Sequence, residues 1–319
     1  MGGCDDAGAG VFRDEVRLLN SILLYNVPHR ESFGALIALY IFFTGLSAGS
    51  FFLSTLSYGF GLRRFRPLSK PALFTASAML LAAPLFLLAH VGQPLRSWHL
   101  FVFLNPGSPI TWGSFLLTTY PVFCLLYLVC IFTGRERAAR VSGLVGIPFA
   151  VCVHAYTGFI LSFCAARPLW NSSMLPLLFL ISAVVSGTAF MILVYACWCR
   201  LRGQGIDASS QNGRLLLSLA RILGWVLLVD LVLTAVEILV ASVSDQESRL
   251  AVSQLVRGDL ALPFLGVEVV LGKIVPLVLL FWPGLRKTSV VLLASALIVA
   301  GILLMRLDLV RVGELLPLL

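Results

Sequence analysis

The sequence predicts an all-α integral membrane protein of eight transmembrane helices, arranged as two four-helix bundles with both termini outside. Three observations carry that prediction. Of 319 residues 59% are hydrophobic and only 12% charged, with mean hydropathy +0.97, so a soluble domain of this size would lack the polar surface to stay dissolved. Eight apolar runs each approach the roughly 20 residues that cross a hydrocarbon core of about 30 Å: 33–60, 71–91, 110–133, 142–166, 174–199, 215–243, 263–283 and 288–305. Lys and Arg also fall unevenly among the loops. One alternating set carries twelve (Arg63, Arg64, Arg66, Lys70; Arg135, Arg137, Arg140; Arg200, Arg202, Arg214; Arg286, Lys287) and the other only four (Arg96, Arg167, Arg249, Arg257). The positive-inside rule puts the first set in the cytoplasm, which makes the chain N-out and C-out. A net charge of +8 and a pI near 9.4 do not point to nucleic acid, because so apolar a chain keeps its basic residues in short loops for topological reasons.

Residues 1–32 read as an outer N-terminal arm of mixed charge, holding Asp5, Asp6, Arg13, Asp14, Glu15, Arg17, Arg30 and Glu31. Its start is acidic, unlike a signal peptide. Leu18–Val27 is short and interrupted by Asn20, Ser21 and Asn26, the pattern of an interfacial helix. The first span contains the small-residue run Thr44–Ser50 with Gly45-x-x-x-Gly49, which is expected to lie against a neighbouring helix.

Between the second and third spans lies a polar hinge, His90 to Gly113, placed at the outer surface by the loop count. Pro94 suits the first turn of a short helix, and Trp98, Phe101 and Phe103 give it an apolar side. Asn105-Pro106-Gly107 ends that helix; Ser108 and Pro109 read as N-cap and first residue of the next. Of seven cysteines, Cys124, Cys130, Cys152, Cys164 and Cys197 lie within spans and Cys199 ends one. None forms a c-haem or iron–sulfur motif, so no haem or iron–sulfur cluster is expected in this chain. A b-type haem would need two imidazoles at matching depth, and His90 and His154 differ by roughly 16 Å at 1.5 Å per residue. His29 and His99 lie in surface segments and offer no better pair.

Ionisable residues at membrane depth must face protein or water, since each costs a few kcal/mol against lipid. They are His90, His154, Asp230, Glu237, Glu268 and Lys273. Asp230 and Glu237 are seven apart, hence on one face about 10 Å apart. Glu268 and Lys273 are five apart, a divergence of about 140° on an α-helix, so they are expected to find partners on other helices. Two readings stand side by side for the group Asp230, Glu237, Glu268 and Lys273: a paired packing cluster or a proton path. Residues 306–319 read as an outer C-terminal tail.

Asn105-Pro-Gly-Ser-Pro-Ile-Thr-Trp-Gly-Ser114, preceded by Gly92-Gln-Pro-Leu-Arg-Ser-Trp-His-Leu100, resembles the signature of the polysulfide reductase membrane-subunit family, NrfD/PsrC. Tyr156-Thr-Gly-Phe159, Arg167-Pro-Leu-Trp-Asn171 and the Gly-Leu-Ser-Ala-Gly run of the first span agree with it, and the likeness fades over 200–319. The resemblance implies an integral subunit that binds a quinol near the outer face, menaquinol or ubiquinol, and has no redox metal of its own. It implies an iron–sulfur or multihaem partner docked on that face and a separate catalytic subunit. The matching site positions are Tyr40, where some relatives carry His, His90, where many carry Asp or Glu, and Tyr156.

Chemistry agrees with those positions. Quinol oxidation releases two protons and two electrons, so the site needs hydrogen-bonding groups at both ring oxygens and one that takes a proton near neutral pH. His90 can take the proton, and Tyr40 and Tyr156 can bond the oxygens. Trp98, His99 and Trp112 are expected as pocket walls, and Arg167 and Asn171 as loop-fixing or partner-docking residues. A secondary transporter is the competing class, for which a buried ionisable set and a seventh span interrupted at Gly266, Gly272 and Pro276 would also be natural.

Overall fold

A computed structural model describes residues 33–164, 167, 170–258, 260–282 and 287–315. The N-terminal arm and the helix expected at Leu18–Val27 lie outside the described residues. In chain order the helices are α1 (Ala35–Tyr58), α2 (Arg66–His90), a single turn α3 (His99–Val102), α4 (Pro109–Phe132), α5 (Glu136–Ser162), α6 (Leu175–Leu201), α7 (Gln211–Val243) and α8 (Gln246–Arg257). A π-helical segment (Leu262–Ile274) then runs into α9 (Val275–Phe281), and α10 (Thr288–Leu315) closes the chain. No strand occurs among the described residues. Eight of these stretches are long and apolar enough to span a membrane, one for each run in the sequence.

The ends differ from the hydropathy reading in an instructive way. The helices of the second and fourth spans, α2 and α5, begin at Arg66 and Glu136, ahead of the boundaries at 71 and 142, because Lys, Arg and Glu are good helix formers and a helix need not stop where hydrocarbon does. The last helix departs further. It runs to Leu315, so residues 306–315, expected in a tail, are helical. Arg306 and Asp308 are buried, at 1% and 4% exposure. A charge marks the end of a span only when it faces lipid; these two face protein.

The seventh span is wound as a π-helix. Its last turn is closed by Val275 N–H donating to the Val270 carbonyl, five residues back. Pro276 follows immediately and has no N–H, and in an α-helix its ring would press on the Gly272 carbonyl; the wider turn relieves that contact.

Among the spans α1 is the most enclosed and α7 the most exposed to lipid. The small-residue face of α1 meets α6 at backbone distance: a Cβ at Gly49 would stand 2.8 Å from Gly187 Cα. The close neighbour expected from Gly45-x-x-x-Gly49 is therefore α6. A central apolar cluster joins both halves of the chain, through Leu46 and Leu53 of α1, Leu68 of α2, Ile192 of α6, Leu219 of α7 and Ile298 of α10.

Candidate functional site

Two groups of polar side chains are set into the apolar bundle. The first lies where α1, α2, α5 and α6 approach the end at which α2 stops. Tyr40 is buried there, packed in a cluster with Ala83, Leu161, Trp170 and Phe179. Tyr156 comes within electrostatic reach of it. The Tyr156 ring lies directly over Gly113, where any Cβ would overlap it, so the end of the hinge is in contact with α5. His90, the last residue of α2, is half-buried and faces Phe33 with ring centroids 6.5 Å apart. Phe33 in turn meets the edge of Trp170 at 5.4 Å, and the Trp170 indole N–H donates to the Leu309 carbonyl of α10 at 2.8 Å. Tyr40 thus belongs to one aromatic cluster that His90 borders through Phe33, and Tyr156 approaches Tyr40 from α5.

The remaining hinge residues are placed elsewhere. Trp98 is exposed and packs on His99, which packs on Phe103. Trp112 is 59% exposed, with its indole N–H donating to the Pro106 carbonyl at 2.9 Å. Trp98 and Trp112, both exposed, take the position of interfacial anchors, whereas Gly113 is the hinge residue against Tyr156. The hinge itself follows the expected order: a short turn at Pro94–Arg96, α3, and α4 beginning at Pro109. Arg167 is half-buried and Asn171 exposed at the same end of the molecule.

The second group is ionic. Lys273 Nζ lies 2.9 Å from Asp230 Oδ2 and 3.7 Å from Glu268 Oε1, and donates to Thr234 Oγ1 at 2.6 Å. Lys273, Asp230 and Glu268 are all buried. The pairing of Lys273 with Glu268 corrects the expectation that residues five apart diverge. On an i→i+5 helix they stack on one face, and the divergence holds only at 3.6 residues per turn. Glu237 is part-buried one turn above Thr234 and shares a cavity with Glu268 and Asp308.

Two buried groups, Arg306 and Asp308, escaped the sequence reading, and His154, expected to face the protein interior, is buried beside the first. Arg306 lies over the Phe179 ring with its guanidinium carbon 3.6 Å from the centroid, and donates to Ser182 Oγ and the Phe179 carbonyl. His154 Nε2 is 2.8 Å from that same carbonyl, which therefore joins α5, α6 and α10. Asp308 lines the cavity. Arg306 and Asp308 were hidden by the rule that ends a span at the first charge; the apolar Leu307, Leu309 and Val310 that continue the run around them were the available signal.

The polysulphide reductase NrfD family model matches residues 24–317. The chain belongs to that family. Among its relatives, a selenate reductase component from Mesobacillus selenatarsenatis is 30% identical over 93% of this chain and 77% of its own length. Protein NrfD of Escherichia coli is 28% identical over 88% of this chain and 94% of its own. The integral membrane subunit of an Hdr-like menaquinol oxidoreductase from Archaeoglobus fulgidus is 30% identical over 65% of this chain and 53% of its own. With eight apolar helices and this kinship, the chain is a multi-pass protein of a bacterial or archaeal cytoplasmic membrane.

Proposed function

We propose that this NrfD-family chain is the quinol-reactive membrane anchor subunit of a multi-subunit respiratory oxidoreductase. It exchanges electrons between the membrane pool of menaquinone or ubiquinone and an iron–sulfur or multihaem partner on the outer face, while a separate catalytic subunit handles the terminal substrate. The observation that carries this reading is that Tyr40, buried in the aromatic cluster that His90 borders, lies within electrostatic reach of Tyr156, whose ring covers Gly113 at the end of the hinge.

Two phenol hydroxyls can bond the two ring oxygens of a quinol while their rings keep the pocket apolar. The imidazole at the end of α2 can take one proton and release it a short distance away at the surface. Arg167 and Asn171, on the same rim, are assigned to partner docking. Trp98, His99 and Trp112 are assigned to the pocket mouth, where the exposed rings of the two tryptophans suit the interface. Asp230, Lys273, Glu268 and Glu237 are assigned to a proton path that runs through the second half of the bundle. The wide seventh span is a feature that a transporter would share, but family membership and the tyrosine pair favour the quinol reading.

Tyr40→Phe, Tyr156→Phe and His90→Ala should each lower quinol turnover about ten- to a thousandfold, the usual range for losing a bond made mainly in the transition state. Assembly of the complex should stay intact. Normal quinol kinetics in membranes for all three variants would move the site elsewhere.

A further inference from the structure

A cavity with about 100 Å³ of room for water lies between α6, α7, α8, the π-helical segment and α10. At roughly 10–15 Å³ per water this space accommodates several molecules. Its walls are mostly apolar, among them Phe179, Phe264 and Met305, yet Glu237, Glu268 and Asp308 all line it. Asp308 is 4% exposed, and its Oδ2 has no hydrogen-bond partner among the described residues; the same is true of Glu237 Oε2. Buried polar atoms ordinarily have a partner, so these two oxygens point to water or a proton in the cavity.

The charges around the cavity are unequal. Four carboxyls converge here: Asp230 and Glu237 from α7, Glu268 from the π-helical segment and Asp308 from α10. Only two buried cations accompany them among the described residues. Lys273 is divided between Asp230 and Glu268, and Arg306, held against Phe179 and Ser182, acts on the same two carboxyls. Arg311 of α10 acts on Asp308 from the exposed side, and Arg249 and Arg257 of α8 are exposed. From α5, His154 reaches the Phe179 carbonyl behind the wall. Four ionised carboxylates would leave the low-dielectric interior with uncompensated negative charge. Protons supply the missing positive charge.

The cavity is lined by the first residue of α6, by the start of the π-helical segment and by the last turns of α7 and α10, the ends that lie with the end of α2; we infer that it is a proton-loading chamber open to that membrane face, with Asp308 and Glu237 as its exchanging groups. In each exchange an O–H bond of one carboxyl breaks as an O–H bond forms on cavity water, and the reverse transfer reloads the carboxyl. Lys273 shifts its pairing between Asp230 and Glu268 as a proton arrives on the other. This rests on the proton-path reading above and adds to it Asp308, the cavity and the side on which the path opens.

The test is infrared spectroscopy of the whole complex in sealed vesicles, stepped in pH on one side at a time without quinol, so that a failure of the quinol reading does not touch it. A protonated-carboxyl band should rise and fall with pH on the α2-end side. About half of it should be lost in Asp308→Asn and about half in Glu237→Gln. If Asp308→Asn does not assemble, Asp308→Glu keeps the carboxyl and should shift the band instead. The inference is overturned if neither variant alters the band, if the band responds only to pH on the opposite side, or if it appears only when sodium ions are withdrawn, since the chamber would then hold a metal cation.

Discussion

Tyr156 is held by what it lacks opposite it. Gly113 leaves the space that the ring occupies, so a single methyl there must displace the phenol or push α4 outward. Gly113→Ala is therefore expected to lower quinol turnover at least about tenfold, as is expected of Tyr156→Phe, while the complex still assembles; steady-state kinetics in membranes checks it. Trp170 is a second such residue. Replacing it by Phe keeps most of the ring contact with Phe33 but removes the indole donor to the Leu309 carbonyl. The expected cost is about 1 kcal/mol, read as a lower thermal midpoint of the purified complex. At this scale the motif residues were legible in the chain, but their directions were not. Trp112 and Gly113 are adjacent, and on a helix neighbours point about 100° apart, so one faces outward and the other lies beneath Tyr156.

The π-helical segment is the element whose winding decides the ion cluster. Read at 3.6 residues per turn, Glu268 and Lys273 diverge; wound at five residues per hydrogen bond, Glu268 shares the charge of Lys273 with Asp230. Pro276 was visible in the chain as an interruption, but the interruption takes the form of wider turns. Lys273→Met should destabilise the protein by about 3–5 kcal/mol, because it leaves buried carboxylates unpaired. The double variant Lys273→Met with Asp230→Leu should recover part of that loss, and denaturation of the two side by side measures it. The segment is also pressed against α10. A Cβ at Gly272 would stand 2.8 Å from Gly301 Cα, so Gly301→Val should separate the two elements and lower stability by about 1–3 kcal/mol or more.

Across the whole molecule, the two halves of the chain are joined at backbone distance by α1 and α6 and through the Phe179 carbonyl, where His154 of α5 and Arg306 of α10 converge. Gly187→Val would set side-chain carbons against the Gly49 backbone in the middle of the bundle. It is expected to reduce assembled complex in membranes more than any single change at the hinge, since neither helix can retreat without opening the central cluster. The number of spans, their approximate limits, the hinge and the family motifs were determined by the sequence itself. Hydropathy is a sum over about twenty consecutive residues, and the bilayer reads that sum locally. Which charges meet was decided only by tertiary structure. Arg306 and Phe179 stand 127 residues apart in the chain, so their contact depends on how two helices cross, and the burial of Arg306 and Asp308 depends on which way α10 turns its face.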